Sequence, residues 1–199
     1  MEPFTRRTGT GMPLRRTNVD TDQIIPARFL KRVSRTGFGD GLFAGWREDT
    51  DFVLNDERYR GAGILVAGTE FGTGSSREHA VWALQDYGFV AVIAPRFGDI
   101  FAGNALKRGL LPVELEPQRV EWLWATIESN PKTEITIDVE HRIIQVAQQE
   151  WKFPINDHNR WRLIEGLDDI DMTLRQESQI TGYEEKRPQW LPVTLPVQN

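Results

Sequence analysis

The residue types best suited to chemistry are gathered in one run, Gly68-Thr-Glu-Phe-Gly-Thr-Gly-Ser-Ser-Arg-Glu-His-Ala80. Glycines that free the backbone, the hydroxyls of Ser75 and Ser76 and the guanidinium of Arg77 together describe an anion site. Two phosphate patterns can be tested directly. A P-loop needs Lys after its last glycine, where Ser75 stands. The dinucleotide fingerprint needs a glycine three residues after Gly74, where Arg77 stands. Both patterns fail. An arginine at a helix start suits a carboxylate, which it can grip with two parallel hydrogen bonds. A plainer reading stands beside this one. Ser75-Ser-Arg-Glu78 is also a capping box, worth roughly 1 kcal/mol, and that alone would account for the serine. His79 falls in the first turn and reads as a hydrogen-bonded helper. With His141 and His158 distant and no cysteine in the chain, a metal site has no support.

The flanking sequence must position this run. Gly63-Ile-Leu-Val-Ala67 leads into it as a buried strand, and Ala80, Ala83, Leu84 and Tyr87 leave it on one helical face. Gly88 stops that helix. Phe89–Ala94 is a second strand, Asp99 caps a helix over 100–108, Gly109 ends it, and Leu110–Val113 is a third strand. This β-α-β-α-β unit implies right-handed crossovers and an α/β fold whose sheet is at least partly parallel. The ligand end of such a sheet lies beyond the strand carboxyl ends, where 68–77 falls. Downstream, Pro117 opens a helix with Val120, Leu123, Trp124 and Ile127 on one face. Residues 133–139 and 142–147 read as a β-hairpin. A last helix starts near Asn156-Asp157 and runs through Trp161, Ile164 and Leu167 to Ile170. The first 17 residues read as a basic entry strand or loop. One domain over 1–199 is expected, with an irregular tail from about 185, where Pro188, Pro192 and Pro196 lie.

Two other stretches carry polar groups. In Asn18-Val-Asp-Thr-Asp-Gln-Ile-Ile-Pro26, Asp20 and Asp22 would share a face if the segment is extended, or form a solvated Asx-turn. From Leu30 to Asp56 the periodicity loosens around Lys31-Arg32, Arg35 and Gly37-Phe-Gly-Asp-Gly41. That is either a binding loop or a surface loop with its aromatics packed underneath.

Composition narrows the function classes. A net charge of −5 argues against a general nucleic-acid binder. No apolar run approaches the ~20 residues needed to span a bilayer, and the first residues lack the apolar core of a signal peptide, so a cytoplasmic protein is expected. The absence of cysteine excludes disulfides, a thiol nucleophile and a cysteine-ligated iron–sulfur cluster held by this chain alone.

Gly72-Thr-Gly-Ser-Ser-Arg-Glu-His-Ala80 resembles the signature of the swivelling domain of the aconitase superfamily. Asn18–Pro26, Pro95-Arg-Phe-Gly-Asp-Ile-Phe101, Asn104 and Gly109-Leu-Leu-Pro112 resemble further blocks of that superfamily. With Phe29-Leu-Lys31, Arg35-Thr-Gly-Phe38 and Gly166-Leu-Asp-Asp-Ile170, the pattern is similar to the small-subunit family of bacterial 3-isopropylmalate dehydratase, over about Asn18 to Tyr183. The resemblance implies a swivelling β/β/α three-layer α/β domain that forms half of an enzyme. In that family a large subunit holds a [4Fe–4S] cluster on its own cysteines. The pair interconverts 2- and 3-isopropylmalate through the alkene 2-isopropylmaleate, in leucine biosynthesis.

Residue by residue, the resemblance implies that Ser75 is the catalytic base, that Gly74, Ser76 and Arg77 bind substrate carboxylate, and that Asp22 orients a charged neighbour. Phe29-Leu-Lys-Arg32 lies in the loop matching the family's side-chain selector, with Lys31 or Arg32 a further carboxylate contact. A hydroxyl is a very weak acid, and a helix N-terminus contributes only ~0.3–2 kcal/mol, about one pKa unit. Ser75 can therefore serve as a base only in a dry, preorganised site completed by the partner. Two other functions fit the same residues: a related hydratase acting on homoaconitate, citraconate or a similar dicarboxylate, and a non-catalytic anion-binding module whose Ser75 is only a cap.

Overall fold

The structure is a computed structural model of the 199-residue chain, describing all residues except 33–35, 75–76, 189 and 192–199. It divides into two compact units, Met1–Gly166 and Leu167–Asn199. The first unit is built on a seven-stranded sheet. Its strands are β1 (Arg6–Leu14), β3 (Ile64–Ala67), β5 (Ala91–Ala94), β6 (Leu111–Glu114), β7 (Glu134–Asp138), β8 (Ile143–Val146) and β9 (Gln149–Lys152), in the order β6-β5-β3-β1-β7-β8-β9. The four strands from β6 to β1 pair in parallel, and the three beyond β1 pair antiparallel. A second sheet has two parallel strands, β2 (Val19–Asp20) and β4 (Phe71–Thr73).

This is the mixed α/β architecture expected, partly parallel and built on the β-α-β-α-β unit. β3 and β5 are buried along their whole length, as parallel strands covered on both faces must be, and this is why they read as unbroken apolar runs. Helices α2 (Glu78–Tyr87) and α3 (Asp99–Arg108) make the crossovers between β3, β5 and β6, and pack on each other. α4 (Pro117–Ser129) packs on β1, β3 and β5. Its four predicted core residues are all buried, and the Trp124 indole N–H donates to the Val66 carbonyl (2.8 Å).

Of the two readings of the basic entry segment the strand holds: it is the central strand β1, joining the parallel and antiparallel halves, and only its last four residues are buried. Several other expectations are corrected. The hairpin has a third strand, β9, reached through a turn at Ala147–Gln148 that lacks the usual Asn-Gly or Gly signature. α3 begins at Asp99, with Gly98 rather than Asp99 in the cap position. The long terminal helix is broken. α5 (Asp157–Glu165) ends at Gly166 in the left-handed region (φ 68°). A new helix, α6 (Asp169–Leu174), then starts from a capping box in which Asp168 accepts from Asp171 N–H and Asp171 accepts from Asp168 N–H. The second unit contains α6 and α7 (Glu177–Glu185), neither with a buried residue. Most of the expected tail, 189 and 192–199, lies outside the described residues.

Candidate functional site

The two-stranded sheet explains how residues far apart in sequence meet. β2 and β4 pair with Val19 opposite Phe71 and Asp20 opposite Thr73, which lays the Asn18–Pro26 block beside the glycine run. On its other side β4 is held by the 96–98 turn. The Phe71 N–H donates to the Arg96 carbonyl (3.0 Å) and the Gly98 N–H donates to the Phe71 carbonyl (2.9 Å). The Phe71 ring packs edge-on against Phe97 and Phe101. Gly72 is the tight point. Its φ is +77°, and a Cβ there would overlap the Phe101 ring and come within 2.6 Å of the Phe101 Cβ. Gly74 is also left-handed (φ +89°) but has room, its nearest neighbour being Asp20 Cβ at 3.5 Å. Gly72 is required by space and conformation, Gly74 by conformation alone.

Asp20 and Asp22 take different roles, because the segment turns into the short helix α1 (Thr21–Ile24) rather than staying extended. Asn18, left-handed at φ 54°, makes the turn and donates its N–H to the Thr69 carbonyl. Asp20 caps α1, accepting from the Gln23 N–H (2.7 Å) while the Gln23 side chain accepts from the Asp20 N–H (3.0 Å). Asp22 points out of the first turn and accepts from Arg77 Nη1 as an ion pair, with Arg77 22% and Asp22 54% exposed at the side chain. The two residues are 55 apart in sequence, and only the β2–β4 pairing brings them together.

α2 begins at Glu78 with Arg77 in the cap position (φ −121°, ψ 109°), later than the capping box Ser75–Glu78 anticipates, and Arg77 supplies no side-chain cap. Ser75 and Ser76, the expected base and carboxylate ligand, lie outside the described residues. His79 is packed between rings, with centroids 5.3 Å from Phe38 and 4.6 Å from Trp82. Beside it the Trp82 indole N–H is buried without a hydrogen-bond partner among the described residues.

The described residues between 29 and 56 form tight turns, several of them 3-10, with their aromatics packed underneath. Phe38, Phe43 and Phe52 are buried, and Trp46 stacks on Phe43. Lys31 is exposed. Arg32 is engaged inside its own loop: Nη1 and Nη2 donate to the two Asp40 oxygens (2.7 and 2.8 Å), and Nη1 also donates to the Gly37 carbonyl (2.5 Å). These bonds hold the Asp40 carboxyl below the usual carboxylate range and raise Arg32, against a smaller opposing effect of burial. Three contacts escape a reading of the sequence: Arg77 with Asp22, Arg32 with Asp40, and Asp86 Oδ2 accepting from the Phe38 N–H (2.9 Å). Arg32 and Asp40 lie eight residues apart, a separation with no local signature.

Among the described residues no group of three or more His, Cys, Asp or Glu could hold a metal ion, and no helix is long and apolar enough to cross a membrane. With no cysteine in the chain, the donor set does not fit a thiolate-bound cluster. A separate groove lined by Phe97, Leu106, Pro112, Arg142 and Ile155 includes none of the residues expected to bind or act on a substrate.

Residues 1–118 match the family model of the aconitase C-terminal domain, and residues 169–196 match that of the C-terminal domain of 3-isopropylmalate dehydratase small subunits. The 3-isopropylmalate dehydratase small subunit of Salinispora arenicola is 64% identical over 192 residues, covering 96% of this chain and 98% of that one. That of Acidothermus cellulolyticus is 62% identical over 194 residues, covering 98% of each. The crystal structure of a 3-isopropylmalate dehydratase chain from Methanocaldococcus jannaschii superposes with a TM-score of 0.63 at 26% identity, covering 90% of this chain and 99% of that one. Taken with the Asp22–Arg77 geometry and the glycine run that carries it, these matches show that the chain belongs to the family of 3-isopropylmalate dehydratase small subunits.

Proposed function

We propose that this chain is the small subunit of a two-subunit hydro-lyase that interconverts 2- and 3-isopropylmalate by dehydration and rehydration through 2-isopropylmaleate, and that it acts only with its large subunit. The observation that carries this reading is the near-complete mutual coverage, at 62–64% identity, with small subunits named for that reaction.

The site residues are assigned within this reading. Arg77 grips a substrate carboxylate and Asp22 fixes the direction of its guanidinium, because an ion pair on one N–H leaves the other donors aimed. Gly74 and Ser76 offer further hydrogen-bond donors to the same carboxylate. Ser75 takes the proton from the carbon beside it. The substrate is a small dicarboxylate, and Lys31, exposed on the turn that follows α1, is the cation assigned to its second carboxylate. A [4Fe–4S] cluster, supplying Lewis-acid chemistry at the leaving hydroxyl, belongs to the large subunit, since thiolate ligands must come from another chain. A cytoplasmic location goes with this assignment.

Co-expression with the large subunit and an assay with 2-isopropylmalate test the proposal. The expected result is turnover by the reconstituted pair, none by this chain alone, and loss of turnover in Ser75→Ala without loss of folding. A pair that binds 2-isopropylmalate but never releases 3-isopropylmalate, or a Ser75→Ala pair with near-normal activity, would overturn it.

A further inference from the structure

The turn after α1 carries two adjacent cations, Lys31 and Arg32, and the structure treats them differently. Lys31 is exposed and makes no described ion pair. Arg32 spends the Nη1–Nη2 edge of its guanidinium, the fork that best matches a carboxylate, on Asp40 of its own loop, and its second Nη1 hydrogen on the Gly37 carbonyl. Its positive charge is already compensated there. The guanidinium carbon also lies 4.8 Å from the Phe29 ring centroid and 5.9 Å from that of Phe38. One side chain thus ties Phe29, Gly37, Phe38 and Asp40 together.

The tie is anchored on the site helix. Phe38 is fully buried, donates its N–H to Asp86 of α2, and packs on His79 and Trp82 of the same helix. Phe29 lies flat against Gly41, where a Cβ would come within 2.9 Å of the ring. The turn carrying Lys31 is therefore joined through Arg32 and Phe29 to a segment fixed on α2, the helix with Arg77 in its cap position.

We propose that Arg32 is a positioning residue rather than a substrate ligand: with Asp40 it forms a strap that closes the Phe29–Lys31 turn onto α2, so that Lys31 faces the second carboxylate of the dicarboxylate substrate. This deepens the function proposed above and rests on it for the identity of the substrate. The two roles open to Arg32 predict opposite effects at Asp40. If Arg32 grips substrate, removing Asp40 frees its charge and KM falls or stays unchanged. In a strap, Asp40 matters as much as Arg32.

The test is a double-mutant cycle in the reconstituted two-subunit enzyme, reading KM and kcat separately. Arg32→Ala and Asp40→Ala are each expected to raise KM about fivefold, which is what the free energy of a surface ion pair can deliver if all of it goes into closing the turn. The double variant should be no worse than either single one. Exchanging the charges with Arg32→Asp and Asp40→Arg together should recover part of the loss. Thermal unfolding controls for general destabilisation, which would not move KM alone. A normal or lowered KM in Asp40→Ala beside a raised KM in Arg32→Ala would overturn the strap, as would fully additive effects. Hydrogen exchange on the isolated chain keeps the two proposals separable. If the wild-type pair does not turn over 2-isopropylmalate, the function fails on its own account, while the strap still requires the Gly41 and Leu42 amides to exchange faster in Asp40→Ala. Unchanged exchange there would remove the strap.

Discussion

Asp22→Asn separates the energetics of the site from those of the fold. The carboxylate is 54% exposed at its side chain and touches Arg77 from the first turn of a four-residue helix. An ion pair so open to water contributes ~0.2–1 kcal/mol to stability. The helix cap is left intact, because Asp20 and not Asp22 supplies it. The variant should therefore unfold within about 1 kcal/mol of wild type. The effect on activity is larger, since an oriented, charge-assisted hydrogen bond is worth ~1.5–3 kcal/mol where it fixes a donor to be used in catalysis. Asn keeps one acceptor oxygen but loses the charge, so the lower part of that range applies. At about 1.4 kcal/mol per factor of ten, kcat/KM should fall roughly tenfold to thirtyfold. The measurement is steady-state turnover of 2-isopropylmalate by the reconstituted pair, with urea unfolding of the same preparation. A kcat/KM within about threefold of wild type would refute the reasoning. So would a loss of activity that merely follows a loss of folded protein.

Two further predictions concern the stability of the fold. Gly72→Ala forces a Cβ against the Phe101 ring at φ +77°, adding ~1–2 kcal/mol of backbone strain to ~1–3 kcal/mol of overpacking. Urea unfolding should show a loss of about 2–5 kcal/mol with unchanged m, and a loss under about 1 kcal/mol would show that Phe101 yields freely. Asp138 is 8% exposed; burial alone would raise its carboxyl, but bonds from the His141 N–H (2.8 Å) and ring (3.0 Å) outweigh this and hold it below the usual range. A depressed carboxylate gives stability above its unfolded pKa of about 3.9 that is lost as pH falls through its folded value. Asp138→Asn should thus be about 1–2 kcal/mol less stable than wild type at pH 7, with the gap closing below about pH 4. A gap independent of pH would remove the ionised carboxylate from the explanation.

What could be read in the sequence, and what could not, follows from the range of the interactions. β3, α2, β5, α3 and β6 announce themselves because each has its own apolar run or face and its own stop signal, and adjacent elements pack together. β1 does not, because its first five residues are only partly buried and its central place comes from pairing with β7, more than a hundred residues away. β9 is polar because three of its four residues are exposed and none is fully buried, so it carries no apolar alternation. The break at Gly166 was written locally, as a glycine followed by Asp168 and Asp171, but the apolar spacing from Trp161 to Ile170 runs across it and suggests one helix. At the site, Arg77 and Asp22 could each be singled out from the blocks in which they stand. Their contact could not, since a two-residue strand pair is too short to leave a pattern.

The two cations assigned to the proposed site, Arg77 and Lys31, are held by different means, and on that proposal this divides their roles. Arg77 follows β4, which is fixed between β2 and the 96–98 turn by backbone hydrogen bonds and packed Phe rings, and its side chain is less than half as exposed as its partner's. Nothing in that support depends on the side chain of a substrate, only on the fold. Lys31 sits on a turn held by one arginine, one aspartate and the face of Phe29, all near the surface. On the function proposed above, substitutions there alter which dicarboxylate fits without disturbing β4, because the described contacts join the two supports at Phe38 on the buried face of α2 and at the Phe43 N–H that donates to the Ile24 carbonyl, not at β4. A site that must keep one carboxylate grip while tolerating change in the rest of the ligand is best built in this way, with the constant contact on paired backbone and the variable one on a side-chain strap.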